Sequence, residues 1–264
     1  MSRDEASTAT YLFKNRLQDA RRRLELLEQC HDSASVRRLE ALGVTGGWQC
    51  LEAGAGAGSI ARWLCSRVAP AGRVLAIDVD TRFLQDATWP CLEVRQENVV
   101  TDDLEPQAFD LVHTRMLLMN LDERARVLQK LIAALRPGGW LLLEEGDIYP
   151  MTATASGRYR RVVEEGVRVA SLNGLAMEWA RNLPQLLDAA GLADVGAEVD
   201  TGMFHGASPM AEFWQITWQQ LREPLLSQGE LDERALDETI ALLETPGCWF
   251  ADLAMVAAWG RRPG

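Results

Sequence analysis

Residues 49–145 alternate short apolar runs with amphipathic ones, and that alternation predicts an α/β fold built on a doubly wound, mostly parallel sheet. A glycine-rich segment, L-E-A-G-A-G-A-G-S at 51–59, stands between the first apolar run and an amphipathic one, as in a strand–loop–helix unit. A largely apolar run at 108–114 suits a central parallel strand, covered on both faces.

The elements follow in order. Residues 11–30 read as a helix, with Phe13, Leu17, Ala20, Leu24 and Leu27 on one face. A second short helix is expected at 33–42, capped by Ser33 or Ser35 and broken by Gly46-Gly47. Strands are predicted at 49–53, 74–78, 92–96, 108–114 and 140–145. Helices are predicted between them at 60–68, 82–88 and 121–135, the last stopped by R-P-G-G at 136–139. After Tyr149 the rhythm changes. Helices are expected at 157–171 and 183–190, with Pro184 in a first turn, then a strand at 197–204. An aromatic stripe (Met210, Phe213, Trp214, Thr217, Trp218, Leu221) marks another helix, followed by a helix at 231–243 and a last strand at 249–259. No repeat and no convincing linker interrupts the chain. The expectation is one domain over 1–264: an N-terminal helical cap at 1–45, a ligand-binding core at 46–150, and pocket helices with the last strands at 151–264.

Composition narrows the function. The chain has 264 residues, 47% of them hydrophobic, enough for a sizeable core. Its formal net charge is −11, which argues against a nucleic-acid partner, since such a protein needs a basic face. Arg21, Arg22 and Arg23 form a local basic run that reads as a solvated helix face. The five cysteines are scattered with no C-x-x-C pair, so no metal site is expected, and their odd number fits reduced thiols in the cytoplasm. Neither a signal peptide nor a membrane-spanning run is apparent.

The glycine spacing discriminates between ligands. A dinucleotide fingerprint, G-x-G-x-x-G from Gly54, needs glycine at 59, where Ser59 stands. The motif present is acid-x-G-x-G-x-G, opened by Glu52. Asp78 ends the second predicted strand, 20 residues past Gly58, where a carboxylate can accept hydrogen bonds from both hydroxyls of a ribose.

These segments resemble the class I, Rossmann-like S-adenosylmethionine-dependent methyltransferases of the small-molecule type. Four pieces carry the resemblance: the glycine segment at 51–59, V-L-A-I-D-V-D at 74–80, F-D-L-V-H-T-R at 109–115, and L-R-P-G-G-W-L-L-L-E-E at 135–145. The resemblance implies a seven-stranded sheet with helices on both faces, an N-terminal cap helix, and helical insertions after strands five and six. It implies S-adenosylmethionine as cofactor. Gly54, Ala55 and Gly56 would pack under its methionine part, Glu52 would receive the amino group, Asp78 the ribose, and Val79 would pack on adenine. Thr114 would offer its backbone near the methionyl amine. Asn98, beside Val99, stands where the family often has an acid for the adenine amino group; its amide oxygen can accept that bond, or it serves as a turn residue.

Catalysis is less legible. A base helps when the acceptor must lose a proton, whereas positioning suffices otherwise. Of the three histidines, His31, His113 and His205, His113 ends the fourth strand and is the best placed as a base, although a lone histidine by an apolar strand is more often a packed, hydrogen-bonded residue; Asp147 and Tyr149, beyond strand five, are its rivals, with a simple loop role as their alternative. The aromatic stripe reads first as core and second as a lid over an apolar acceptor. The expected function is methyl transfer to a small-molecule acceptor, for example a specialised metabolite, by a cytoplasmic enzyme, with homo-oligomerisation left open. The alternatives are cyclisation or decarboxylation chemistry on the same cofactor-binding fold, a nicotinamide-dependent reductase, which Ser59 disfavours, and a binding protein without activity.

Overall fold

The computed structural model describes residues 17–84 and 89–264. The first described element is α1 (Leu17–Ala41), followed by β1 (Gln49–Ala53), α2 (Ser59–Val68), β2 (Arg73–Asp78) and β3 (Leu92–Gln96). Next come β4 (Phe109–Arg115), α3 (Arg124–Ala134) and β5 (Leu135–Asp147). These five strands are parallel neighbours in the order β3-β2-β1-β4-β5. Two later strands, β6 (Ala193–Asp200) and β9 (Ala254–Arg261), complete a seven-stranded sheet, β3-β2-β1-β4-β5-β9-β6, in which β9 alone runs against the rest.

Both faces of the sheet are covered, because successive residues of its central strands are apolar in both directions. One core joins Leu51, Leu75, Val112 and Leu143 to α3. The other joins Cys50, Val74, Leu111 and Leu142 to α2 and to Leu39 of α1. The fold is the predicted doubly wound α/β class. Helices α4 (Tyr149–Thr152), α5 (Gly157–Leu172) and α6 (Leu183–Ala189) lie between β5 and β6. Helices α7 (Pro209–Gln220), α8 (Arg222–Gln228) and α9 (Glu233–Leu243) follow β6, so the expected insertions stand where the sequence placed them. Among the described residues, no helix is long and apolar enough to cross a membrane.

Four differences have physical reasons. The two expected N-terminal helices are one continuous α1. Ser35 does not cap a new helix; its hydroxyl turns inward and donates to Glu144 Oε2 at 2.5 Å. The part of the first predicted helix at 11–16, with Phe13, lies outside the described residues. Of the helix expected at 82–88, the described part forms a 3-10 turn, Thr81–Phe83, capped by Asp80, whose carboxylate accepts the Arg82 N–H; residues 85–88 lie outside the described residues. The strand expected at 197–204 ends at Asp200, and β7 (Met203–His205) leaves the main sheet to pair with β8 (Trp249–Ala251). The last predicted strand is correspondingly interrupted at Asp252. That carboxylate accepts the Leu253 N–H at 2.8 Å and the Trp214 Nε1–H at 3.0 Å, which takes the chain out of one ladder before β9 begins.

Candidate cofactor and acceptor site

A cavity of about 760 Å³ opens at the carboxyl ends of β1, β2 and β4, where ligands bind in doubly wound folds. Its polar end is built on the glycine loop. Gly54, Gly56 and Gly58 all take positive φ, 74°, 57° and 87°, in a left-handed region that side chains resist. At Gly58 an added Cβ would lie 2.4 Å from Leu84 Cδ2, so bare backbone is needed there for packing as well. The loop is tied to β2 by Asp78, whose Oδ2 accepts the Gly56 N–H at 2.9 Å and whose Oδ1 accepts the Asp80 N–H at 2.9 Å. Each oxygen keeps a lone pair for a further donor. Burial raises the Asp78 pKa above the usual carboxylate value, against the pull of those two amides.

The structure brings Glu52, Gly54, Ala55, Gly56, Asp78, Val79, Asn98 and Val99 to this one cavity. Val79 is 60% exposed, a bare apolar surface in the wall. Asn98 serves the turn after β3: its Oδ1 accepts the Val100 N–H at 2.9 Å, and its own N–H donates to Asp102.

It does not bring the other four candidates there. Thr114 is fully buried, with Ala53 and Leu143 as its strand partners, and does not line the cavity; the next residues, Arg115 and Met116, do. His113 is also fully buried, on the face shared with Leu111 under α1. Its Nδ1 meets Glu52 Oε2 at 2.6 Å and its Nε2 meets Glu144 Oε2 at 3.0 Å. Both ring nitrogens are engaged, so His113 cannot reach an acceptor. Asp147 is held by Arg181 at 2.5 and 2.9 Å and accepts the Tyr149 N–H. Tyr149 is 65% exposed beneath the Arg181 guanidinium. Both belong to a separate, smaller hollow of about 420 Å³ beside β6. The strand ends point as the pleat dictates, and a central strand apolar on both faces hides that phase from the sequence.

Several contributors escaped the sequence reading. The inward face of α1 is polar at 28, 32 and 35, one helical stripe. Glu28 Oε1 accepts the Ser59 N–H at 3.0 Å, at the start of α2, and Asp32 Oδ1 accepts the Ser59 hydroxyl at 3.0 Å. Arg115 donates to Asp32 at 2.9 Å and to Ser35 at 3.0 Å. Arg38, only 3% exposed, donates to Glu144, Glu198 and Asp200. Arg23 does not lie on a purely solvated face: it lines the cavity, donates to Thr217 Oγ1 at 3.1 Å and lies over the Phe213 ring. Glu145, fully buried, accepts the N–H groups of Leu117, Leu118 and Met119 and so fixes the loop after β4 that walls the cavity. Burial raises its pKa to about 7 despite those three donors.

The far end of the cavity is chemically different. Val163, Val167 and Ala170 of α5 face Phe213, Trp214 and Trp218 of α7. Trp214 and Trp218 stack at 5.4 Å. On this wall the Thr217 hydroxyl donates to the Phe213 carbonyl at 2.8 Å and accepts from Arg23, and the Trp214 indole N–H is held by Asp252. The described residues lining the whole cavity include no histidine, tyrosine, lysine or cysteine.

Residues 51–141 match the family described as a methyltransferase domain. An uncharacterised 37.1 kDa protein in a transposon of Streptomyces fradiae is 29% identical over 218 residues, which cover 77% of this chain and 61% of that one. A methyltransferase of Strobilurus tenacellus, str2, is 34% identical over 98 residues, 37% of this chain and 35% of that one. The chain thus spans less than two thirds of the length of either curated relative. Among solved structures, phosphoethanolamine N-methyltransferase 2 of Haemonchus contortus superposes with a TM-score of 0.63 at 15% identity, over 98% of this chain and 61% of that one, a likeness of fold. The match at 51–141 spans the glycine loop, β2 and β4, so the segment that carries the polar end of the cavity is the one similar to a methyltransferase domain.

Proposed function

We propose that the chain is an S-adenosylmethionine-dependent methyltransferase acting on a small, largely apolar acceptor. One observation carries the reading: a single cavity has a polar end of glycine backbone and carboxylates and an apolar end of aliphatic and aromatic side chains. Its volume lies within the range of ligand sites, roughly 300–1,000 Å³. The polar end fits the cofactor. Asp78 has free lone pairs for two ribose hydroxyls, Val79 offers a flat apolar face, and Glu52 supplies a carboxylate for an ammonium. When bound, S-adenosylmethionine supplies a methyl group already activated on a sulfonium.

The chain's own part is then positioning. Gly54 and Gly56 admit close approach of a ligand to the main chain. Helix α1 and the loop fixed by Glu145 wall the cavity and exclude water, which strengthens every polar contact inside. Holding the acceptor in line with the methyl group is one source of acceleration; the ionisable side chains among the described lining residues are carboxylates and arginines. The apolar wall of α5 and α7 selects an uncharged acceptor surface, because an unpaired charge there would lose its hydration without compensation. The acidic balance and reduced-thiol composition fit a cytoplasmic enzyme of small molecules rather than of nucleic acid.

The test is a panel of uncharged aromatic and aliphatic hydroxyl, amine and carbon acceptors, with release of S-adenosylhomocysteine measured. Release in proportion to methylated product supports the reading. Conversion of an acceptor with no release of S-adenosylhomocysteine would replace methyl transfer by cyclisation or decarboxylation chemistry.

A further inference from the structure

A chain of buried polar groups runs under α1 from the cavity floor to the outer strands. Glu52, on β1, is the strand partner of His113 on β4; Glu144, on β5, is the strand partner of the neighbouring Arg115. His113 bridges the two carboxylates, through Nδ1 to Glu52 and Nε2 to Glu144. Glu144 in turn receives Ser35 and Arg38 from α1. Arg115 donates to the Ser35 hydroxyl and to Asp32, which holds Ser59 at the end of the glycine loop. Thus the carboxylate that faces the cavity and the helix that walls it are joined through one imidazole.

We propose that His113 is a positioning residue: by bridging Glu52 and Glu144 it aims the Glu52 carboxylate at the cofactor's amino group and couples cofactor binding to the docking of α1. The inference rests on the proposed reading of the polar end as the S-adenosylmethionine site. Three points support it. Glu52 is 3% exposed yet lines the cavity, so its rotamer is set by what lies behind it, and the group found there is His113. A buried carboxylate with no such partner would be driven toward its neutral form, which no longer attracts an ammonium. The charged and titratable groups facing this bridge are Glu52 of β1, Arg115 of β4, Glu144 of β5, and His31, Asp32 and Arg38 of α1. Burial pulls the His113 pKa down, but the two carboxylates overcome it and raise it to about 9, so the bridge is protonated at neutral pH. Burial and the cations Arg115 and Arg38 lower His31 to about 4, so it stays neutral beside it.

The test compares two ligands on the full chain by calorimetry. S-adenosylhomocysteine carries the amino acid portion, and 5′-methylthioadenosine lacks it. In His113→Gln the donor toward Glu52 is lost. S-adenosylhomocysteine affinity should fall about tenfold or more, as for a charge-assisted hydrogen bond, with methylthioadenosine affinity unchanged within twofold. His113→Asn, whose amide nitrogen occupies the place of Nδ1, should recover most of the loss. Should His113→Gln fail to fold with two carboxylates left unbridged, the double variant His113→Gln/Glu144→Gln removes that surplus charge and is read the same way. Coupling is read by hydrogen exchange: S-adenosylhomocysteine should slow exchange in α1 over 24–38 in the native chain and much less in the variant. Equal losses for both ligands, or no loss, or unchanged protection of α1 would overturn the proposal. If the native chain binds neither ligand, it is the cofactor reading itself that fails.

Discussion

Asp78 holds the backbone N–H of Gly56 at 2.9 Å, so the last residue of β2 and the middle glycine of the loop form one unit. The contact closes the loop over the end of the adjacent strand and points the second lone pairs of the carboxylate into the cavity. Asp78→Ala should therefore act twice, by removing the ribose acceptor and by loosening the loop. S-adenosylmethionine affinity is expected to fall tenfold or more, the equivalent of about 1.5–3 kcal/mol for a hydrogen bond to a charged group. Asp78→Asn, which keeps an acceptor oxygen, should lose less. Isothermal calorimetry on both variants, with circular dichroism as the folding control, decides this.

Gly56 has φ 57°, and an added Cβ would stand 3.4 Å from Leu24 Cδ2 on α1. Gly56→Ala meets ordinary packing and only backbone strain, roughly 1–2 kcal/mol. Gly56→Val adds branching against α1 and a side chain beside the ligand path. The expected order of cofactor affinity is native, Ala, Val, with the loss in affinity larger than the loss in thermal stability. Parallel losses in the two would make the glycine a folding requirement alone.

The apolar end of the cavity should be selective. Val167→Glu puts a carboxylate on the wall facing α7. Its expected effect is an acceptor KM raised roughly tenfold or more, about 1.4 kcal/mol, while S-adenosylmethionine affinity stays within twofold. Asp147→Asn and Tyr149→Phe, in the hollow beside β6, should leave turnover near native.

His113 gives stability a pH dependence. Its pKa is about 9 in the folded chain against an ordinary 6.5, so its contribution is complete below pH 6.5 and is lost as the pH rises toward 9. At about 1.4 kcal/mol per pKa unit the loss is of order 3 kcal/mol. The thermal midpoint of the native chain should fall between pH 6.5 and 9, and that of His113→Gln should be flatter over the same window. Equal slopes would remove His113 as the source.

What the sequence revealed and what it hid divide along physical lines. The bounds of β1 and β3 and the glycine loop were legible because their determinants are local: apolar runs, three alternating glycines, and an acid at the end of β2. The facing of His113 was not. Both faces of β4 are buried, so alternation gives no phase, and only the partner strands show that His113 turns under α1. The polar stripe Glu28, Asp32 and Ser35 looks like a solvated helix face until Ser59, Arg115 and Glu144, distant in sequence, are seen to receive it. Arg23 was hidden in the same way, by a basic run whose other members, Arg21 and Arg22, are exposed ion-pair partners of Glu25 and Glu212.

The central claim is that the glycine loop and Asp78 form an S-adenosylmethionine site. Titrating S-adenosylmethionine, S-adenosylhomocysteine and NADH separately into the native chain tests it most directly. The account predicts that both sulfur nucleosides bind with 1:1 stoichiometry and dissociation constants of order micromolar, about −8 kcal/mol, and that NADH gives no heat of binding. Saturable NADH binding with no response to either sulfur nucleoside would contradict it.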